Sequence, residues 1–313
     1  MEAARSKSHF EKPEKEVLTV KHVSVRLVGG LGNQLFGYFA GKYLAEKLGT
    51  EMVLDDSQLI HNKHVNSNIF DFSLDEKVLA DPGKLRLSQI LDRIPVRSAF
   101  FDDIYSRYLS IHYSREIGYD ANIEKVTGGL TLIGYYQSYR YFFGLTKQLG
   151  KPRLLLNSPG DWFKGMQEQA DSEKPIIVHV RRGDYSKPAN QDFGLLSRDY
   201  YLNSISLLRS ITGLENSEVW IFSDSLEQVV EEFGPAGKGY KFIHSDPQSS
   251  AAENLVLMSS GGGVVTSNST YSYWSGLLSE HQNVIAPNKW FQSRPDPLDL
   301  VPPTWATQES IWK

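Results

Sequence analysis

The segment His179-Val180-Arg181-Arg182-Gly183-Asp184 sets two adjacent arginines beside a glycine and a carboxylate. A guanidinium is a planar fork of donors matched to phosphate oxygens, and such charge-assisted bonds are roughly twice as strong as neutral ones. Neighbouring side chains on extended backbone point to opposite faces, so only one arginine of the pair can readily face a ligand. Other polar turns are Ser223-Asp224-Ser225, His244-Ser245-Asp246 and Ser267-Asn268-Ser269-Thr270. Ser267 to Tyr271 has the composition of a helix opening, where hydroxyls and backbone N–H groups favour an anion. A plain N-cap is an equal reading of the same residues. Asn268-Ser269-Thr270 is also formally a glycosylation sequon, expected to be buried.

The turn Gly29-Gly30-Leu31-Gly32-Asn33-Gln34 permits close approach of backbone to a ligand. As a dinucleotide fingerprint it is incomplete, because Leu35 stands where the third glycine of G-x-G-x-x-G belongs; Asp55 or Asp56 would be its ribose-binding acid. No metal ligand set is expected. There is no Asp-x-Asp triplet, Asp55-Asp56 and Asp102-Asp103 are adjacent pairs whose side chains diverge, and His61 and His64 lie in a polar stretch that suits the surface. Neither a Ser-His-Asp arrangement nor a G-x-S-x-G elbow is present. The chain has no cysteine, which removes disulfides, cysteine-ligated zinc and a thiol nucleophile, and fits a reducing compartment.

Strands and helices must hold these turns. With 313 residues, 40% hydrophobic and 22% charged, the chain has the balance of a globular protein large enough for two domains. A net charge of -4 with scattered basic residues argues against nucleic acid as a partner. Residues 1–20 are polar and lack the apolar stretch of a signal peptide, and no apolar run is long enough for an integral membrane segment. Val23 to Val28 suits a strand, and Leu35, Phe36, Phe39, Ala40, Tyr43, Leu44 and Leu48 form one apolar stripe on a helix that Gly49 stops before a strand at Met52 to Leu54. From Pro175 on, strands at 176–180, 219–222, 241–243, 264–266 and 284–286 alternate with helices, one capped by Ser197, one by a Ser225/Gln228 capping box, and one over 250–259. This alternation predicts parallel sheets covered on both faces, with the polar turns at the carboxyl ends of the strands where ligands bind. The expected fold is α/β: a polar tail at 1–20, a Rossmann-like domain at 21–155, a second at 156–294, and an irregular proline-rich tail at 295–313.

HVRRGDY at 179–185, FSDS at 222–225 and SNSTYSYW at 267–274 resemble the three ordered motifs of glycosyltransferase family 11, the α-1,2-fucosyltransferases. GGLGNQLF at 29–36 is similar to the family's amino-terminal signature, and GYYQSYRYF at 134–142 to its middle block. The resemblance implies a GT-B fold of two Rossmann-like domains facing a cleft. It also implies an inverting reaction needing no cofactor and no metal, with GDP-β-L-fucose as donor and the 2-hydroxyl of a galactose-terminated oligosaccharide as acceptor. By the same resemblance Arg181 grips the β-phosphate, His179 helps hold guanine, and Ser269, Thr270 and Tyr271 hold the diphosphate. Gly32 and Asn33 close on it from the other domain, and Asp224 joins the donor-binding set. A carboxylate sixteen residues before the serine of the third motif pairs with guanine in relatives, and counting back from Ser269 gives Glu253, where relatives carry aspartate.

Asp184 is the candidate general base, with holding the arginine loop as its other role; Asp192, Asp199 and Asp224 are further candidates for base. Tyr135, Tyr136, Tyr139 and Trp274 are candidate stacking residues for acceptor sugars, burial in a core being the commoner fate of such rings. The alternatives are a fucosyltransferase of another linkage, a protein O-fucosyltransferase, a nucleotide-dependent oxidoreductase built on the glycine turn, and an inactive glycan-binding protein. Lacking an anchor, the chain suits a bacterial cytoplasmic enzyme of surface polysaccharide biosynthesis; a trimmed Golgi-lumenal catalytic domain is the other reading.

Overall fold

The computed structural model describes residues 22–61, 69–78, 110–114, 117–143, 154–187, 190–234, 239–297 and 299–313. The expectations for residues 1–20, His64 and Asp102-Asp103 lie outside them.

Strand β1 (His22–Arg26) leads into helix α1 (Leu31–Leu48), and β2 (Glu51–Asp55) and the short α2 (Ser57–His61) follow. With β3 (Lys77–Val78), β4 (Ile111–Tyr113) and β5 (Thr131–Ile133) they form a parallel sheet of order β3-β2-β1-β5-β4. The single stripe expected on α1 is too narrow. Gln34, Gly37, Tyr38 and Gly41 are buried along with Leu35, Phe36, Phe39 and Leu44, because the helix lies between this sheet and the second half of the chain.

The second sheet begins after α3 (Asp161–Glu173) with β6 (Ile176–Val180), all five residues of which are buried. Then come α4 (Arg198–Thr212), β7 (Val219–Ser223), α5 (Leu226–Phe233), β8 (Tyr240–Phe242) and α6 (Ala251–Ser259). Strand β9 (Gly263–Val265), α7 (Thr270–Leu278), β10 (Val284–Pro287) and β11 (Ala306–Gln308) complete it. The parallel order is β11-β10-β9-β6-β7-β8. Numbered from β6, this is the doubly wound 3-2-1-4-5-6 order, whose direction reverses between β6 and β9. Burial on both faces explains why its inner strands β6, β7, β9 and β10 are mostly apolar runs.

Two local expectations need correction. Ser197 caps α4 by accepting from the Tyr200 N–H, but Ser225 makes no side-chain cap to α5. The capping box closes instead on α6, between Ser250 and Glu253. The proline-rich tail is also not irregular throughout: β11 adds an outer strand beside β10, and the Lys313 N–H donates to the Leu195 carbonyl.

Of the two hydrophobic cores among the described residues, one lies within the second half and the other runs through both halves of the chain. Phe36, Phe39 and Phe142 of the first half surround Trp274 of α7, with ring centroids 5.0–5.8 Å away. Aromatic contacts of this kind add to the area they bury, so the two sheets are joined by a dry interface next to the cleft.

Candidate active site

Each sheet has one point where its winding reverses, and the polar turns meet there. In the second sheet, His179 to Asp184 leave β6 while Ser267 to Thr270 leave β9. In the first, Gly29 to Asn33 leave β1 while Tyr135 to Gln137 follow β5. The Gln137 amide donates to Asn33 Oδ1 at 2.8 Å, tying the two turns of the first sheet together. Residues from all four turns line one cavity of about 790 Å³.

The paired arginines part company. Arg182 is fully buried and is held by Glu232 at 2.7 Å, and its Nη1 donates to the Arg181 carbonyl at 2.9 Å. Arg181 faces the cavity, where its guanidinium pairs with Asp224 at 2.9 Å and with Asp184. Asp224 also accepts the Arg182 N–H at 2.8 Å, so one carboxylate fixes both the backbone and the fork. Asp184 is thus tied to the arginine while remaining the more exposed of the two carboxylates. Asp192 and Asp199 are exposed and line no part of the cavity.

His179 is buried at the cavity wall, with Nδ1 3.1 Å from the Ser267 hydroxyl and its ring edge-on to Tyr271. Burial lowers its pKa to about 4; Asp224 opposes that shift and Arg181 adds to it. The imidazole is therefore neutral at pH 7.

Two helices point their positive ends into the same space. Ser269 caps α7 through the Tyr271 N–H, so its side chain is a cap that also lines the cavity. Gly30, which precedes α1, supplies no side-chain cap. A Cβ on Gly32 would lie 2.6 Å from the Thr270 carbonyl carbon and 2.7 Å from the Tyr271 nitrogen, so only glycine lets these helix ends approach this closely. Thr270 and Tyr271 line the cavity, and the Tyr271 hydroxyl donates to the Ala251 carbonyl at 2.6 Å.

Three expected site residues are placed elsewhere. Both carboxylate oxygens of Glu253 accept backbone N–H groups, from Gly160 at 2.6 Å and Ser250 at 2.7 Å, and Glu253 faces a different cavity. It is a structural cap, and Asn254 is the polar α6 side chain that lines the site, beside Ala251 and Met258. Tyr136 is 1% exposed, with its hydroxyl donating to the His112 carbonyl, so it is no sugar platform; its neighbour Tyr135 is 45% exposed and lines the cavity. Trp274 is fully buried, and its indole donates to the Gly32 carbonyl at 2.9 Å. Asn268 of the sequon is buried as expected, with its amide donating to the carbonyls of Phe193, Gly194 and Trp290. Sequence reasoning missed Gln137, inside the 134–142 block, Asn254 on α6, and Phe193, Trp290 and Arg294, which line the cavity from loops with no strong motif.

Among the described residues no group of three or more histidines and carboxylates is placed to hold a metal ion, and no helix is long and apolar enough to cross a membrane. Two doubly wound sheets facing a cleft lined by an arginine and two helix N-termini define a GT-B glycosyltransferase. Glycosyl transferase family 11 matches residues 21–296, and the chain belongs to that family. The dinucleotide oxidoreductase reading of the glycine turn is thereby set aside; Leu35, in place of a third glycine, is buried in the core.

Among curated proteins, the Escherichia coli O-antigen biosynthesis glycosyltransferase WbnK is 27% identical over 287 residues, 85% of this chain and 93% of its own length. An Escherichia coli alpha-1,2-colitosyltransferase is 26% identical over 304 residues, 92% of this chain and 99% of its own. Among solved structures, the Bradyrhizobium NodZ alpha-1,6-fucosyltransferase soaked with GDP-fucose has 16% identity and a TM-score of 0.49, covering 82% of this chain and 92% of that one. The Escherichia coli ADP-heptose LPS heptosyltransferase II has 12% identity and a TM-score of 0.45, covering 92% and 90%.

Proposed function

We propose that the protein transfers L-fucose from GDP-β-L-fucose to the 2-hydroxyl of a terminal galactose, with inversion and without a metal. The observation that carries this reading is the convergence of Arg181 with the N-termini of α1 and α7 at the switch points of both sheets. A diphosphate seated there meets a guanidinium and two positive helix ends, which fits a leaving group that gains negative charge. From β7, β8 and α6, Phe222, Ile243, Ala251 and Met258 line the cavity with apolar side chains and Asn254 and Ser245 with polar ones, a lining suited to a base. Neutral His179 supplies hydrogen-bonding capacity in the same cavity without repelling a base.

In the reaction the bond from fucose C1 to the β-phosphate oxygen breaks, with its electron pair leaving on GDP. The galactose 2-oxygen bonds to C1 from the opposite face and loses its proton. Asp184, the more exposed of the two carboxylates on Arg181, is the candidate to take that proton, and its pairing with Arg181 also makes it an anchor of the loop. Asp184→Asn keeps an oxygen for the Arg181 guanidinium but cannot act as a base, and it should leave donor binding intact while lowering kcat.

A second donor is favoured by one specific likeness, the colitosyltransferase, since colitose is fucose without its 3-hydroxyl. The test offers GDP-fucose and GDP-colitose in competition with a β-galactoside, and determines the linkage of the product by NMR. An α-1,2 fucosyl product formed in excess supports the reading. A colitosyl product in excess transfers the assignment to the other donor, and a linkage elsewhere on galactose overturns the regiochemistry. The name of the first relative fits a role in O-antigen assembly.

A further inference from the structure

We infer that Arg294 selects an acidic acceptor: a glycan that carries a carboxylate, as a hexuronic acid does, next to the accepting sugar. This rests on the fucosyl-transfer reading and names the substrate class for the same cleft.

The side of the cavity lined from β7, β8 and α6 suits the base, and Arg181 sits against Tyr185 at 5.1 Å, so the sugar and acceptor are assigned to the part lined by Tyr185, Phe193, Trp290 and Arg294, with Tyr135 of the first sheet also lining the cavity. The two arginines of this cavity differ sharply. Arg181 is already met by Asp184 and Asp224. Arg294 is exposed, and among the described residues no carboxylate pairs with it. The nearby Asp296 does not serve, because its two oxygens accept the N–H groups of Trp290 at 2.6 Å and Phe291 at 2.9 Å.

The Arg294 fork is also held in place. Its guanidinium carbon lies 3.9 Å from the centre of the Phe291 ring and 5.1 Å from that of Phe193, and Phe193 in turn stacks on Tyr185 at 4.9 Å. The two loops bearing these rings are pinned together by the buried Asn268 amide. A guanidinium whose face lies on aromatic rings keeps its N–H edge outward, set for the two oxygens of a carboxylate. The neighbouring rings offer apolar surface to a sugar. The set is therefore a preorganised fork beside a stacking surface, in the part of the cavity assigned to the acceptor.

The experiment compares two acceptors that differ only in whether the sugar next to the terminal galactose bears a carboxylate or a hydroxymethyl group. With GDP-fucose saturating, the wild type should use the acid with kcat/KM on the order of tenfold higher, the low end of what a hydrogen bond to a charged group contributes. In Arg294→Gln that ratio should collapse toward one, and in Arg294→Lys it should fall part of the way. GDP affinity, measured by calorimetry in the same variants, should stay within about threefold of the wild type, which also reports that they fold. Equal use of both acceptors by the wild type overturns the inference and leaves fucosyl transfer standing. So does a loss of GDP affinity in Arg294→Gln matching its loss of turnover, since that places the arginine on the diphosphate. No transfer to either acceptor overturns the parent reading, and the inference with it.

Discussion

The Trp274 indole N–H donates to the carbonyl of Gly32 at 2.9 Å, a bond between residues 242 positions apart. It joins the first turn of α1 to the middle of α7, so the same contact that welds the two sheets sets the spacing of the two helix ends in the cleft. Trp274→Phe keeps most of the apolar contact and removes the indole hydrogen bond while the Gly32 carbonyl keeps its helical partner, which costs about 0.5–1.5 kcal/mol. Trp274→Ala also opens a cavity among Phe36, Phe39 and Phe142 and should cost about 3–5 kcal/mol. Urea unfolding of the three proteins checks both values; an unchanged midpoint in Trp274→Ala contradicts the interface described.

Arg181 is expected to carry the leaving-group charge. Removing one such preorganised donor costs about 10²–10³ in kcat, and Arg181→Ala should lose at least that. Arg181→Lys should recover little, because a point charge cannot meet Asp184, Asp224 and a phosphate with one rigid fork. Steady-state kinetics with GDP-fucose as donor read this directly.

Gly183 tests the arginine loop without touching an arginine. A Cβ there would overlap the Asp224 carboxylate, which holds both the Arg181 fork and the Arg182 N–H. Gly183→Ala should therefore lower kcat/KM by about tenfold or more with a loss of stability no greater than about 3 kcal/mol. Wild-type turnover in this variant would show that Asp224 does not position the arginine.

His179 gives a pH signature. Its pKa lies near 4 in the folded protein, below the ordinary 6.5, mainly because of burial. Above about pH 6.5 both folded and unfolded forms are neutral and stability is at its full value. As the pH falls toward about 4 the unfolded chain takes up the proton first, and stability drops by up to about 3 kcal/mol. The wild type minus His179→Gln difference in unfolding free energy, measured between pH 7 and 4.5, should show this slope. A flat difference contradicts a neutral buried imidazole.

The strands of the second sheet were legible because buried parallel strands are apolar runs, and Ile176 to Val180 shows one plainly. Polar residues at the ends of such runs then marked His179, Arg181 and Ser269. Other features were hidden by the geometry that creates them. Glu253 and Asn254 are neighbours on a helix, and consecutive helical residues face directions about 100° apart, so counting along the chain does not choose between them. Ser225/Gln228 and Ser250/Glu253 present the same capping pattern, and only the second closes. Aromatic residue type alone does not separate exposed Tyr135 from buried Tyr136 and Trp274, since both fates suit a ring. Strand β11 is three residues long with no fully buried side chain, too little for an alternating pattern to appear.

The central claim is GDP-fucose turnover by protein groups alone. The purified protein is given GDP-fucose, GDP-mannose and UDP-galactose separately, each with a β-galactoside acceptor and excess EDTA, and release of nucleoside diphosphate is followed. Release from GDP-fucose alone, at a rate unaffected by EDTA and dependent on acceptor, is the predicted result. Preference for a UDP-sugar, or complete loss of turnover in EDTA restored by a divalent ion, would contradict it.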